Sequence, residues 1–130
     1  CVSTQTANWD QTEGYEKTES ILQSNPDITG IVCGNDTMAV GAAEACAAAG
    51  RSDIKIIGVD GSDEAAAQIK AGKMTGTALQ QFALMAEMAV TQADGYLKNG
   101  TTGLDEKQLV DCIAITADNV DKLSAFVYTE

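Results

Sequence analysis

The chain has 130 residues, 45% of them hydrophobic, and carries a net charge of −11 with no histidine. That length and apolar content suffice for one compact domain with its own core and argue against disorder. The acidity argues against nucleic acid and against anionic membrane surfaces, since both need clustered Lys and Arg, and no apolar run approaches the roughly 18–20 residues of a membrane span.

Residues 1–5, CVSTQ, read as a short buried strand, which speaks against a flexible tether behind a lipid-bearing Cys1. DQTEGYEKTESILQS reads as an amphipathic helix with Tyr15, Thr18, Ile21 and Leu22 on one face. Asn25-Pro26 ends it, because the residue before proline avoids helical angles. ITGIVC is a continuous apolar strand, as expected where both sheet faces are covered. Asp36 is expected to cap a helix running from Thr37 to Ala49, with Gly50 just past its end. IKIIGVD is the next strand, and Ser62 or Asp63 caps a helix that runs to Ala71 and closes at Gly72. MTGTALQ is another strand. FALMAEMAVTQADGYLKNG is a long helix ending at Asn99-Gly100, TTGLDEK a polar loop and QLVDCIAIT a final strand, while Asp118 is placed to cap a short helix over NVDKLSAF.

This alternation predicts an α/β fold: a parallel, flavodoxin-like sheet flanked by helices on both faces and joined by right-handed crossovers. An all-helical bundle would have to absorb several β-branched runs bounded by Gly and Pro. The cysteines, Cys1, Cys33, Cys46 and Cys112, form no CxxC or other metal spacing. Without histidine a zinc site would rest on Cys and carboxylates alone, so no metal is expected. Cys33 and Cys46 read as buried free thiols; a disulfide among the four stays open, since its pairing is not readable from sequence.

In open α/β sheets, ligands bind beyond the carboxyl ends of the strands. Trp9, Asn35, Asp60 and Gln80 each lie at or just after the end of a different expected strand. A carboxylate accepts from two hydroxyls, the amides both donate and accept, and an indole covers the apolar face of a sugar ring. No cation joins the set, so it suits a polyhydroxylated ligand better than an anion. Each residue also has a plainer reading: Asp60-Gly61 as a turn, Asn35-Asp36 as a helix cap, Gln80 as a surface residue, Trp9 as core or interface. Their shared position at four strand ends favours the ligand site. Catalytic residues and cofactors are not expected. There is no histidine for a triad, no GxSxG elbow, no GxxxxGK[ST] loop and no dinucleotide fingerprint in GVDGSDE. Asp63-Glu64 falls at a helix start, where it complements the helix dipole.

TANWDQTEG, NPDITGIVCGNDTMAVGAAEA, IKIIGVDGSDEA, IKAGKMTGTALQQ and ITADNVDKL, in order over nearly the whole chain, resemble the periplasmic sugar-binding proteins of ABC importers, in the ribose- and galactose-binding group of type I receptors. The resemblance implies a two-lobed receptor that closes over a sugar or polyol and hands it to a membrane permease, with a periplasmic or extracellular location and lipid anchoring of a longer parent left open. By this resemblance Trp9 stacks on the sugar ring, Asn35 and Asp60 bind hydroxyls, and Gln80 lies near the hinge. Trp9 is closer to the glucose/galactose receptors and Gln80 to the ribose receptor. Residues 1–80 then correspond to most of the second lobe. Residues 81–130 correspond to the hinge-crossing segment, with its helix, a final strand and a tail. By the same resemblance these residues are expected to leave out the first lobe and the opening strand and helix of the second lobe, with the arginine that often grips sugar hydroxyls there.

The effector domain of a sugar-responsive repressor shares this fold and is the alternative. A flavodoxin-like enzyme or phosphorelay domain is the third reading; it would need a phosphate loop or an acidic cluster at the strand ends. The 82–97 helix, with Phe82, Met85, Met88, Ala89 and Tyr96, is expected to fold back on the chain, pair with a second copy or sit against the missing lobe.

Overall fold

The computed structural model describes residues 1–129. Helix α1 (Gln11–Ser24) begins after Asp10, whose side chain accepts from the Glu13 amide, and ends at Asn25, one residue before Pro26. Strand β1 (Gly30–Val32) then leads into α2 (Asp36–Ala48), β2 (Lys55–Asp60) into α3 (Asp63–Lys70), and β3 (Gly76–Leu79) into α4 (Phe82–Asn99). Ser62 caps α3 by accepting from the Ala65 amide, and Gly100, at a left-handed φ of 72°, closes α4. Strand β4 (Ile113–Thr116), a 3-10 turn (Val120–Lys122) and the two-residue strands β5 (Leu123–Ser124) and β6 (Val127–Tyr128) complete the chain.

The main sheet has the order β1-β2-β3-β4. β1, β2 and β3 run parallel, while β4 pairs antiparallel with β3, Leu79 opposite Ile113. The reversal follows from the connection. The chain leaves the sheet at the carboxyl end of β3, runs out along α4, and returns at that same edge, so β4 must run the other way. β4 is also shorter than the QLVDCIAIT run suggested, because β3 offers no partner beyond Leu79.

The core joins Ala39, Ala43 and Cys46 of α2 and Ala65 and Ile69 of α3 to Ile56, Leu79 and Ile115 on one sheet face. Small residues make this possible, because helices carrying them approach closely. A Cβ on Gly14 would lie 2.8 Å from the Met38 carbonyl oxygen, and one on Gly41 would lie 2.9 Å from the Tyr15 nitrogen, so α1 and α2 touch backbone to backbone. Thr18 is buried in this contact and Ile21 and Leu22 pack partly into the core. On the opposite sheet face Val32 and Ile57 are exposed. Arg51 ties the end of α2 to the start of β1, donating to the carbonyls of Pro26 and Ile28 at 2.6 and 2.9 Å while pairing with Asp53.

Three local expectations are corrected. Residues 1–7 form no strand. A groove of about 390 Å³ separates Cys1–Gln5 from Gly30–Gly34, and a strand without a neighbour has no ladder to join. Asp36 does not cap α2; Asn35 does, and Asp36 turns into the core. Asp118 caps no helix. The Asn119 side chain instead accepts from Thr116 N–H at 2.8 Å and donates to Ala114 C=O at 2.9 Å, leaving only a 3-10 turn before the β5–β6 hairpin.

All four cysteines are free: Cys46 buried, Cys33 half-buried, Cys1 and Cys112 exposed. Burial, with smaller contributions from Cys46 and Asp36, pushes the Cys33 thiol up to about 11. Burial raises Cys46 as well. Thiolate is the reactive form. Iodoacetamide at pH 8 is therefore expected to label Cys1 and Cys112 well ahead of Cys33 and Cys46, as read by peptide mass spectrometry. Equal rates in the folded protein would contradict this packing.

None of the residues of α4 is buried. Its fold-back is confined to one side. Phe82 meets Phe126 edge to face at 5.6 Å, Gln81 Nε2 donates to Asp111 C=O at 2.7 Å, and Met88 and Gln92 face residues 106–112 across an open groove. Val90 and Leu97, away from that groove, are 70% and 84% exposed.

Candidate functional site

The parallel strands all end at one edge of the sheet, and there the chain places its polar candidates. Asn35 follows β1 as the N-cap of α2. Its Oδ1 accepts from Met38 N–H at 2.9 Å, and its Nδ2 donates to the Trp9 carbonyl at 3.4 Å. That bond brings the start of α1 beside the end of β1. Trp9 sits in a tight turn closed by the Asp10 amide on the Ala7 carbonyl at 2.8 Å, with Asn8 and Trp9 at φ 45° and 63°. Asparagine tolerates that region, whereas tryptophan there is strained. Trp9 is 67% exposed, and its ring lies against Gly34, where a Cβ would come within 2.9 Å of Cζ3. The absence of a side chain at Gly34 therefore gives the indole its seat.

Asp60 ends β2 and Gln80 follows β3. The Gln80 Nε2 donates to Asp60 Oδ1 at 2.7 Å, and the Gln80 amide N–H reaches the Asp60 carbonyl at 3.2 Å. Asp60 has φ 127°, a strained value for a residue with a side chain. Oδ1 is held by Gln80, while Oδ2 takes no hydrogen bond among the described residues. Trp9 is exposed, and Asn35, Asp60 and Gln80 are half-buried. The four residues make an open rim of a flat ring, two amides and a carboxylate. Among the described residues no cluster of three or more His, Cys, Asp or Glu side chains could hold a metal.

Behind the rim lies a polar cluster that inspection of the sequence missed. Asp36, 2% exposed, accepts from Gly61 N–H at 2.9 Å and Ser62 N–H at 2.7 Å on Oδ2. Its Oδ1 accepts from the Thr77 hydroxyl at 2.6 Å. Thr77 in turn accepts from Gly61 N–H at 3.3 Å. Burial pushes the Asp36 carboxyl above its ordinary range, against the Thr77, Ser62 and Gly61 hydrogen bonds that hold it down. The signal available in the sequence was the juxtaposition of two cap-competent residues, Asn35 and Asp36, where a helix needs only one.

A periplasmic binding protein domain matches residues 1–102. The D-apiose import binding protein of Actinobacillus succinogenes is 53% identical over 96% of the chain, and the protein of the same name from Paraburkholderia graminis is 50% identical over 96%. The chain spans 41% and 40% of the length of these two curated relatives. A crystal structure of a Caulobacter myo-inositol binding protein bound to myo-inositol superposes with a TM-score of 0.81 at 37% identity, covering 96% of this chain and 43% of that one. With its βα order, its polar rim at the strand ends and these matches, the chain belongs to the periplasmic binding protein family.

Proposed function

We propose that this chain is the greater part of one lobe, with the hinge segment, of a solute receptor for an ABC importer. It captures an uncharged sugar or polyol between two lobes and presents it to a membrane permease. The observation that carries this reading is the Asp60–Gln80 pair. A carboxylate anchored through one oxygen, at the sheet edge that also carries an exposed indole and an asparagine held by its cap bond, suits adjacent hydroxyls on a ring with an apolar face. The likeness to proteins named for D-apiose import supports the importer over a repressor and makes D-apiose the first ligand to test. Closing the first lobe over the rim would exclude water from these hydrogen bonds, and contacts made only in the closed form would shift the population toward it. The receptor binds and releases; it catalyses no reaction.

Titration calorimetry on the full-length polypeptide with D-apiose, D-ribose and myo-inositol tests this. D-apiose is expected to bind most tightly. A folded protein that binds no sugar or polyol would overturn the reading.

A further inference from the structure

We propose that Asp36 is a positioning residue for Asp60, gripping the peptide that follows it so that the strained Asp60 backbone is held ready for ligand. This rests on the role of Asp60 in sugar or polyol binding set out above. The ordinary role of an acidic residue in a helical first turn is to complement the helix dipole. Here Asn35 already caps α2, and the oxygens of Asp36 reach away from that helix to β3 and the β2–α3 junction. None of the salt bridges among the described residues involves Asp36. A buried carboxylate without a cation is retained only where donors satisfy it, and its donors are two consecutive backbone amides and one hydroxyl.

Those amides are placed to matter. The Gly61 N–H belongs to the same peptide plane as the Asp60 carbonyl, so its orientation sets ψ of Asp60. Asp36 holds that plane through the N–H at 2.9 Å, and Gln80 holds it through the carbonyl at 3.2 Å. A residue at φ 127° persists only where its surroundings hold the adjoining backbone, and these two grips fix ψ on its far side from opposite ends of one peptide. Gly58 completes the device. Any Cβ at that position would collide with Asp36 Oδ1, so the strand opposite leaves the carboxylate its place.

The test uses the full-length polypeptide with Asp36→Asn and Asp36→Ala, each also made in an Asp60→Ala background. Asp36→Asn keeps the volume and one acceptor for the backbone amides but loses the charge and mismatches Thr77. D-apiose affinity, read by calorimetry up to millimolar sugar, is expected to fall roughly tenfold in Asp36→Asn and further in Asp36→Ala, with less than about a twofold change for either when Asp60 is already alanine. The same fold-loss in both backgrounds would show that Asp36 does not act through Asp60 and would overturn the proposal. So would unchanged affinity in Asp36→Asn and Asp36→Ala.

Amide hydrogen exchange on the ligand-free protein is the second arm. Exchange at Gly61 and Ser62 is expected to speed up in Asp36→Asn while the Ala42 and Ala43 amides inside α2 keep their protection. No change at Gly61 and Ser62, or a uniform loss of protection, overturns the proposal. If the unsubstituted protein binds none of the sugars, the receptor reading fails on that result, while the exchange arm still decides whether Asp36 holds the loop.

Discussion

Replacing Asp60 by alanine in the full-length polypeptide is expected to weaken D-apiose binding by roughly 2–5 kcal/mol, about thirty- to several-thousand-fold. The size follows from what is left behind. Ligand hydroxyls that donated to the carboxylate would face an apolar methyl inside a closed cleft, and the Gln80 Nε2, now 2.7 Å from Asp60 Oδ1, would lose its acceptor at the same time. Truncating one partner of a desolvated charged hydrogen bond costs the pair and also strands the other partner. Asp60→Asn should cost less, because Gln80 and one hydroxyl still find an oxygen. Calorimetry decides it: an alanine variant with unaltered affinity and unaltered melting would remove Asp60 from the site.

Much of this could be read in the sequence because it depends on local pattern. ITGIVC, IKIIGVD and MTGTALQ contain β1, β2 and β3, since short apolar runs rich in β-branched residues and bounded by turn residues read as strands, although one face of the sheet leaves Val32 and Ile57 exposed. Ser62 and Gly100 mark helix ends by chemistry that needs no distant partner. The shared position of Asn35, Asp60 and Gln80 at one sheet edge followed from the order of the strands, and their choice as candidates from the rule that ligands gather beyond the carboxyl ends of parallel strands. Trp9 reached the same edge by another route. Residues 1–7 are not a strand, and the bond from Asn35 to its carbonyl carries the indole there. What was not legible depended on distant residues. A strand at CVSTQ needs a neighbour to pair with. The direction of β4 depends on the path of the chain through α4. Asp36 looks like a cap until Gly61 and Thr77, far along the chain, are brought to it by the sheet.

The same dependence on distant partners governs α4, where the other large effect is expected. The helix buries no residue, yet Val90 and Leu97 stand 70% and 84% exposed and Tyr96 58%. Met88 and Gln92 turn toward residues 106–112, so the unpartnered stripe is the one through Ala86, Val90, Ala93 and Leu97, at helical spacing. Of the face named from the sequence, Phe82, Met85, Met88, Ala89 and Tyr96, the three residues Met85, Met88 and Ala89 line that groove and Phe82 meets Phe126, while Tyr96 stays exposed. Burying one large apolar side chain contributes roughly 1.5–3 kcal/mol, which makes a free stripe of this kind a standing drive to associate. The 130-residue chain alone is therefore expected to scatter light as a dimer or larger species at about 100 µM. Val90→Glu with Leu97→Glu should return it to the 13.5 kDa monomer, because two carboxylates cannot be desolvated against an apolar partner at acceptable cost. In the full-length polypeptide, where the proposed first lobe would cover this stripe, the same pair of substitutions should instead lower the melting temperature. A wild-type chain that stays monomeric, or a full-length protein indifferent to both glutamates, would mean that the stripe faces solvent in the working protein and that its apolar character serves no contact.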